Sequence, residues 1–134
     1  MDKNVAALWT EALRSGEFVQ QRYTLKAIGD SGKVFHCCLG VLCELYNRHN
    51  PESKMEELHD SRVLVSFNRP KEICVFDGER DLLPLTVMRW ANITTKDCTF
   101  EDEVGTSNLV KLNDGSGWSF ELLADCIDNN YQKM

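Results

Sequence analysis

Six cysteines and three histidines are the residues of this 134-residue chain with the most reactive chemistry to offer. Cys37, Cys38 and Cys43 crowd into one apolar stretch, FHCCLGVLCELY, running from Phe35 to Tyr46. Structural zinc asks for thiolates converging from pairs such as C-x2-C, and the chain contains no such pair. His36 and Cys43 share one face if the stretch is helical, yet seven residues at a ~1.5 Å rise separate them by about 10 Å, too far to hold one ion. No metal site and no cofactor is therefore expected. A nucleophilic cysteine needs a base within hydrogen-bond reach. His36 adjoins Cys37, but helix neighbours point about 100° apart, so the base would have to come through the fold from His49 or His59. The spacing favours cysteines acting as small buried hydrophobes, and no catalytic residue is assigned.

The segment Asn113-Asp114-Gly115-Ser116-Gly117 lacks the serine elbow G-x-S-x-G and the lysine of a phosphate loop. As a calcium loop it fails too, since glycines stand where oxygen ligands belong. It is expected to be a turn before a helix, with backbone N–H groups placed to meet an anion. The arginines are scattered rather than clustered. A few of them, converging with aromatic rings, would make a stacking and phosphate-reading pocket. The residues expected to form it are Trp9, Arg22, Tyr23, Arg89, Trp90, Asn113 and Asp114.

Elements must position these groups. Val5, Leu8, Trp9, Ala12 and Leu13 follow the i, i+3, i+4, i+7 rule of an amphipathic helix, with Gly16 as its stop. The stretch from Glu17 to Lys33 reads as a loop with a short extended piece. Phe35, Cys38, Leu39, Leu42, Leu45 and Tyr46 fall at helical spacing, and Val41 and Cys43 make the other faces apolar, so this is the core helix. Ser53-Lys54-Met55-Glu56 has the form of a capping box opening a short helix through His59. Val63, Val65 and Phe67, then Ile73 and Val75, predict two strands around Asn68-Arg69-Pro70-Lys71, with Asp77-Gly78 turning toward a third. Pro84 opens a helix carrying Leu85, Met88 and Ala91. Thr94–Ser107 carries no assignable pattern. Ser119 caps a last helix built on Phe120, Leu123, Ala124 and Ile127. The expected fold is one α+β domain over residues 1–134, with four to five helices and a small antiparallel hairpin or three-stranded sheet.

Composition narrows the function classes. The net charge is -6 at pH 7, so general affinity for a nucleic-acid backbone is not expected. No run approaches the ~20 apolar residues that a membrane span needs. The N-terminal MDKNVAALWTEALRSGEF carries Glu11 in its apolar part and no cleavage signature, so no secretory leader is expected. Adjacent cysteines in an apolar helix do not make a disulfide framework. A cytoplasmic protein is the expectation, with homo-oligomerisation left open.

Taken together, Trp9-x-x-Ala12-Leu13-x-Ser15-Gly16, Gln20 or Gln21, Phe35-x-Cys37-Cys38-Leu39-Gly40-Val41-Leu42-Cys43, Leu83-Pro84 with Trp90, and Leu112-Asn113-Asp114-Gly115 with Ser119-Phe120 and Ala124-Asp125 resemble a family of small proteins encoded by tailed bacteriophages and prophages. The cysteine block and the Leu-Asn-Asp-Gly block are the specific parts. The chain departs from the pattern in placing His36 between Phe35 and Cys37, and in a Ser-Gly-Trp insertion before Ser119. The resemblance carries over no catalytic residue. It implies a phage accessory protein acting in the bacterial host cytoplasm, and counter-defence as its setting. The leading expectation is a non-enzymatic protein that sequesters a small nucleotide-derived immune signal. The alternatives are an acidic inhibitor of a host defence protein complex and a signalling-nucleotide hydrolase using His36, His49 or His59.

Overall fold

A computed structural model describes residues 1–61 and 72–134. The first helix, α1 (Lys3–Arg14), begins where the Asp2 carboxylate accepts a hydrogen bond from the Val5 amide at 2.9 Å, satisfying one of the orphan donors of a helix start. Its apolar stripe of Val5, Ala6, Trp9 and Leu13 is buried. Gly16 follows at φ +77°, as the sequence predicts for a stop. The stripe packs chiefly on α4 (Phe120–Asn130), and Arg14 ties the rims together through Asp125 and Asp128, each at 2.7 Å. Ser119 caps α4, its hydroxyl accepting from the Leu122 amide.

The core helix is shorter at its front than the apolar periodicity predicts. Phe35 and His36 belong to a strand, β2 (Val34–His36), and α2 runs Cys38–His49. Cys37 is its N-cap, with Sγ accepting from the Gly40 amide at 3.4 Å. Helical spacing misleads here because β1 (Lys26–Ile28) offers β2 a full antiparallel partner, with Ala27 opposite Phe35. Consequently His36 and Cys43 do not share a helix face. Gly40 explains itself through its neighbour: a Cβ there would lie 1.7 Å from the Leu25 carbonyl oxygen. Only glycine lets α2 sit so close to the strand entering the sheet.

The sheet has four strands in the order β2-β1-β4-β3, all antiparallel, with β3 at Glu57–Asp60 and β4 at Glu72–Phe76. The capping-box helix expected from Ser53 to His59 is therefore absent. Met55 is buried, its amide bonded to the Asn47 side chain, and the following residues gain a ladder along β4 that a single peripheral turn of helix would forgo. Asp77 and Gly78, both at positive φ, close a tight turn in which Phe76 and Glu79 exchange backbone hydrogen bonds at 2.9 Å. No third strand grows from it, because the Arg80 carbonyl instead takes the Leu25 amide. The expected strand Val63–Phe67 and its connection Asn68–Lys71 lie outside the described residues. Pro84 precedes α3 (Leu85–Ala91) as its N-cap. The unassigned stretch after Thr94 contains a separate hairpin, β5 (Thr99–Asp102) with β6 (Gly105–Asn108). The architecture is α+β, as expected, and among the described residues it comprises a four-stranded antiparallel sheet and a separate hairpin.

All six cysteines are buried and free. Burial pushes the Cys37 thiol up to about 12, so this segment is packing material rather than a nucleophile. One row of the sheet is polar: His36, Lys26, Cys74 and His59 stand opposite one another across the four strands. Over the row, α2 contributes Glu44, which meets Lys26 Nζ at 2.8 Å and His36 Nε2 at 3.2 Å, and Glu57 takes Lys26 at 2.8 Å from the other side. Burial works to raise the Glu44 pKa, but the hydrogen bonds from His36 and Lys26 outweigh it and hold the carboxylate at about 2.

Two outcomes follow. Gly40→Ala should cost more than about 3 kcal/mol or abolish folding, since the obstructing atom is backbone. Gly115→Ala, where nothing lies within 4 Å, should be near neutral; urea midpoints compare them. Because the folded pKa of Glu44 lies below its unfolded value, its ion pair stabilises the fold above about pH 4.5 and that contribution disappears as pH falls toward 2. Glu44→Gln should thus cost about 2–3 kcal/mol at pH 7 and close to nothing at pH 2, read from denaturant unfolding at both values.

Candidate functional site

The Leu-Asn-Asp-Gly block folds as a π-helical turn, Lys111–Gly115, whose widened ring is closed by the Ser116 amide on the Lys111 carbonyl at 3.0 Å. Such turns recur at functional sites because they re-aim a side chain out of helical register. Here the side chain is Asn113, which is 1% exposed. Its Oδ1 accepts from Gln20 Nε2 at 2.9 Å and from the Cys38 amide at 3.3 Å. Its Nδ2 donates to the Gln21 carbonyl at 2.9 Å and to Asp114 Oδ1 at 2.7 Å. An amide side chain has two donors and two acceptor lone pairs, so Asn113 is fully spent on protein groups. It positions and does not bind.

What it positions is the turn from Gln20 to Thr24. Gln20 Nε2 also reaches the Trp118 carbonyl at 2.8 Å, Gln21 Nε2 bonds Thr24 at its carbonyl and hydroxyl, and the Tyr23 amide donates to Asp114 Oδ1 at 3.0 Å. Tyr23 is held at φ +77°, a conformation that costs a non-glycine residue on the order of 1 kcal/mol or more and persists where neighbours over-determine it. The strain leaves the Tyr23 ring 62% exposed, beside the exposed Arg22.

Arg22 leans across Gly117. A Cβ on Gly117 would fall 2.5 Å from Arg22 Nη2, and Gly117 itself sits at φ +65°. Among the described residues the Arg22 guanidinium makes no ion pair and no side-chain hydrogen bond, although the chain carries 21 carboxylates against 15 lysines and arginines. It overhangs a cleft of about 220 Å³ lined by Gln20, Gln21, Arg22, Asn113, Gly117 and Trp118. An unpaired guanidinium at the mouth of a cleft walled by the amide side chains of Gln20, Gln21 and Asn113 is suited to a small anionic ligand. The loop N–H groups expected to meet an anion are mostly occupied: Ser116 and Trp118 donate to Lys111 and Leu112 carbonyls. Free donors at the cleft are thus offered by Arg22 rather than by these two loop amides.

Of the seven residues expected from sequence, Arg22, Tyr23, Asn113 and Asp114 come together here. Trp9 is completely buried, its Nε1 donating to the Cys38 carbonyl at 2.9 Å, so it supports the site from within the core and presents no face to a ligand. Arg89 and Trp90 lie apart from the cleft on α3. Trp90 meets Tyr46 edge-on and stacks on His49 in the last turn of α2, whereas Asn113 grips the first residue of that helix. At a 1.5 Å rise per residue, Tyr46 and His49 lie about 12 and 16 Å along the helix from Cys38. The third tryptophan, Trp118, is the one at the cleft. Its signal in the sequence was its place directly after the Asp114-Gly115-Ser116-Gly117 turn.

Another open groove lies elsewhere. It is about 790 Å³, runs along the β5–β6 hairpin, and is walled by Thr99, Thr106 and the acidic Glu101, Asp102 and Glu103. Its charge would repel an anion. No curated protein and no solved structure matches the chain. The model of the family described as Domain of unknown function (DUF8296) matches residues 1–131, and on that near-complete match the chain belongs to this family.

Proposed function

We propose that this protein binds a small nucleotide-derived anion without transforming it, at the cleft beneath Arg22. The single observation that carries the reading is the unpaired Arg22 guanidinium, presented from a strained turn that a fully satisfied buried amide holds in place. Carboxylates neutralise Arg14, Arg48 and Arg80, whereas among the described residues Arg22, like Arg89 on α3, is left without one, and of these two only Arg22 lines the cleft. The cleft is small for a whole dinucleotide. It suits one phosphate and one ring, with Tyr23 beside it to stack the remainder. Together with the resemblance to phage accessory proteins, this supports sequestration of a host immune signal in the bacterial cytoplasm. No helix of the described residues is long and apolar enough to cross a membrane.

A second reading, an acidic inhibitor of a host defence protein, is favoured by the β5–β6 hairpin. Val104 at its tip is 97% exposed and is flanked by Asp102 and Glu103. Such a probe fits a basic, partly apolar surface. The two readings separate by which substitution matters.

Calorimetric titration against ADP-ribose, cyclic ADP-ribose and cyclic di-adenylate tests the first reading. At least one should bind, and Arg22→Ala should weaken it about 10- to 100-fold, the worth of a charge-assisted phosphate contact, without moving the melting temperature. Trp90→Leu should leave affinity unchanged. Absence of binding to all three, or a loss confined to the Trp90 variant, would reject the cleft. A host protein retained by the wild type and lost with Val104→Asp would establish the second reading instead.

A further inference from the structure

Opposite the cleft reading stands a second cluster that the proposed function does not use, on the polar row of the sheet. In β3 the pattern Glu57-x-His59 places both side chains on one face, since strand residues alternate. Cys74 in β4 is the cross-strand partner of His59 on that face. Among the described residues the ligand atoms of Glu57, His59 and Cys74 all lie within 4.8 Å of one another. We propose that Glu57, His59 and Cys74 form a binding site for a zinc-type divalent transition metal.

Three features support it beyond proximity. One oxygen, one nitrogen and one sulfur form a donor set that borderline-soft zinc accepts, with three protein ligands and a fourth position open. The histidine is oriented as metal-bound histidines are: Nδ1 lies 2.5 Å from Glu72 Oε1, so that carboxylate takes its proton and leaves Nε2 facing Glu57 Oε2 at 3.0 Å. Two atoms that are both acceptors in that tautomer need a cation between them, either a second proton on the ring or a metal. Finally, Glu57 divides its oxygens, giving Oε1 to Lys26 and Oε2 to His59, so the Lys26 ammonium does not occupy the inner face. Tetrahedral zinc with these donors spaces its ligand atoms about 3.3–3.8 Å apart, so closing the site asks for side-chain shifts of about 1 Å. Charge balances without rearrangement, because one dication replaces the thiol proton of Cys74 and the ring proton of His59.

Cobalt(II) titration of the full chain, followed by zinc displacement, decides the matter. One equivalent should give visible bands of tetrahedral intensity and a near-ultraviolet thiolate-to-cobalt charge-transfer band, both removed by zinc. Cys74→Ala should abolish the charge-transfer band, and Glu72→Gln should weaken binding about 10- to 100-fold. His59→Ala changes a side chain that is 39% exposed, so it tests the site even where the Cys74 variant fails to fold. Absence of a charge-transfer band in the wild type, or its survival in folded Cys74→Ala or His59→Ala protein, would overturn the proposal.

Discussion

The Asn113 side chain is the constraint on which the rest of this structure turns. It is a buried amide that meets three separate pieces of chain: the π-helical turn that carries it, the 20–24 turn through Gln20 and Gln21, and the start of α2 through the Cys38 amide. Each of these bonds alone adds on the order of 1 kcal/mol, but leaving the buried group unpaired costs more. Satisfying all four at once is therefore achieved by one arrangement of the three segments. Trp9, whose indole donates to the Cys38 carbonyl, fixes the same residue against α1. One residue of α2 is thus gripped through both its amide and its carbonyl, and the cleft is built outward from that point.

Rigidity and exposure are coupled by this scheme. The close approach of Gly40 to Leu25 seats α2 on the strand that leads into the sheet, and the same strand emerges from the Arg22–Tyr23 turn. Force holding the turn comes from below, out of the core, so its two outward side chains need no partners of their own. A guanidinium presented in this way loses little conformational freedom when a ligand arrives. Midway along α2, Glu44 joins the helix to Lys26 and His36 in the sheet. That ion-pair network stabilises the frame and leaves Arg22 outside it.

Much of this was legible in the chain. The stripe on α1, the Ser119 cap of α4 and the burial of the cysteines in the Phe35–Tyr46 segment follow from periodicity and composition, because each depends on neighbours close in sequence. Reading failed where distant chain competed for the same residues. Phe35 and His36 left the predicted helix to pair with β1, and Glu57–Asp60 form a ladder with β4 where a short helix through His59 was expected. At the site, residue types were readable but their partners were not. Asn113 and Arg22 were identifiable as unusual polar residues in turns. Which tryptophan stood near them depended on a buried Trp9, a Trp90 at the far end of α2, and a Trp118 three residues past the π turn, none of which local spacing distinguishes.

The three tryptophans occupy three distinct environments, and this makes their indole N–H resonances the most direct test of the central claim that ligand enters beneath Arg22. In a nitrogen-15-labelled protein titrated with the tightest-binding nucleotide, the account predicts a large shift of the Trp118 indole and of the Asn113 side-chain amide. The Trp90 indole should stay in place, and the Trp9 indole, sealed by its bond to Cys38, should move slightly if at all. A dominant shift at Trp90, or saturation of binding with the Trp118 indole unmoved, would contradict it.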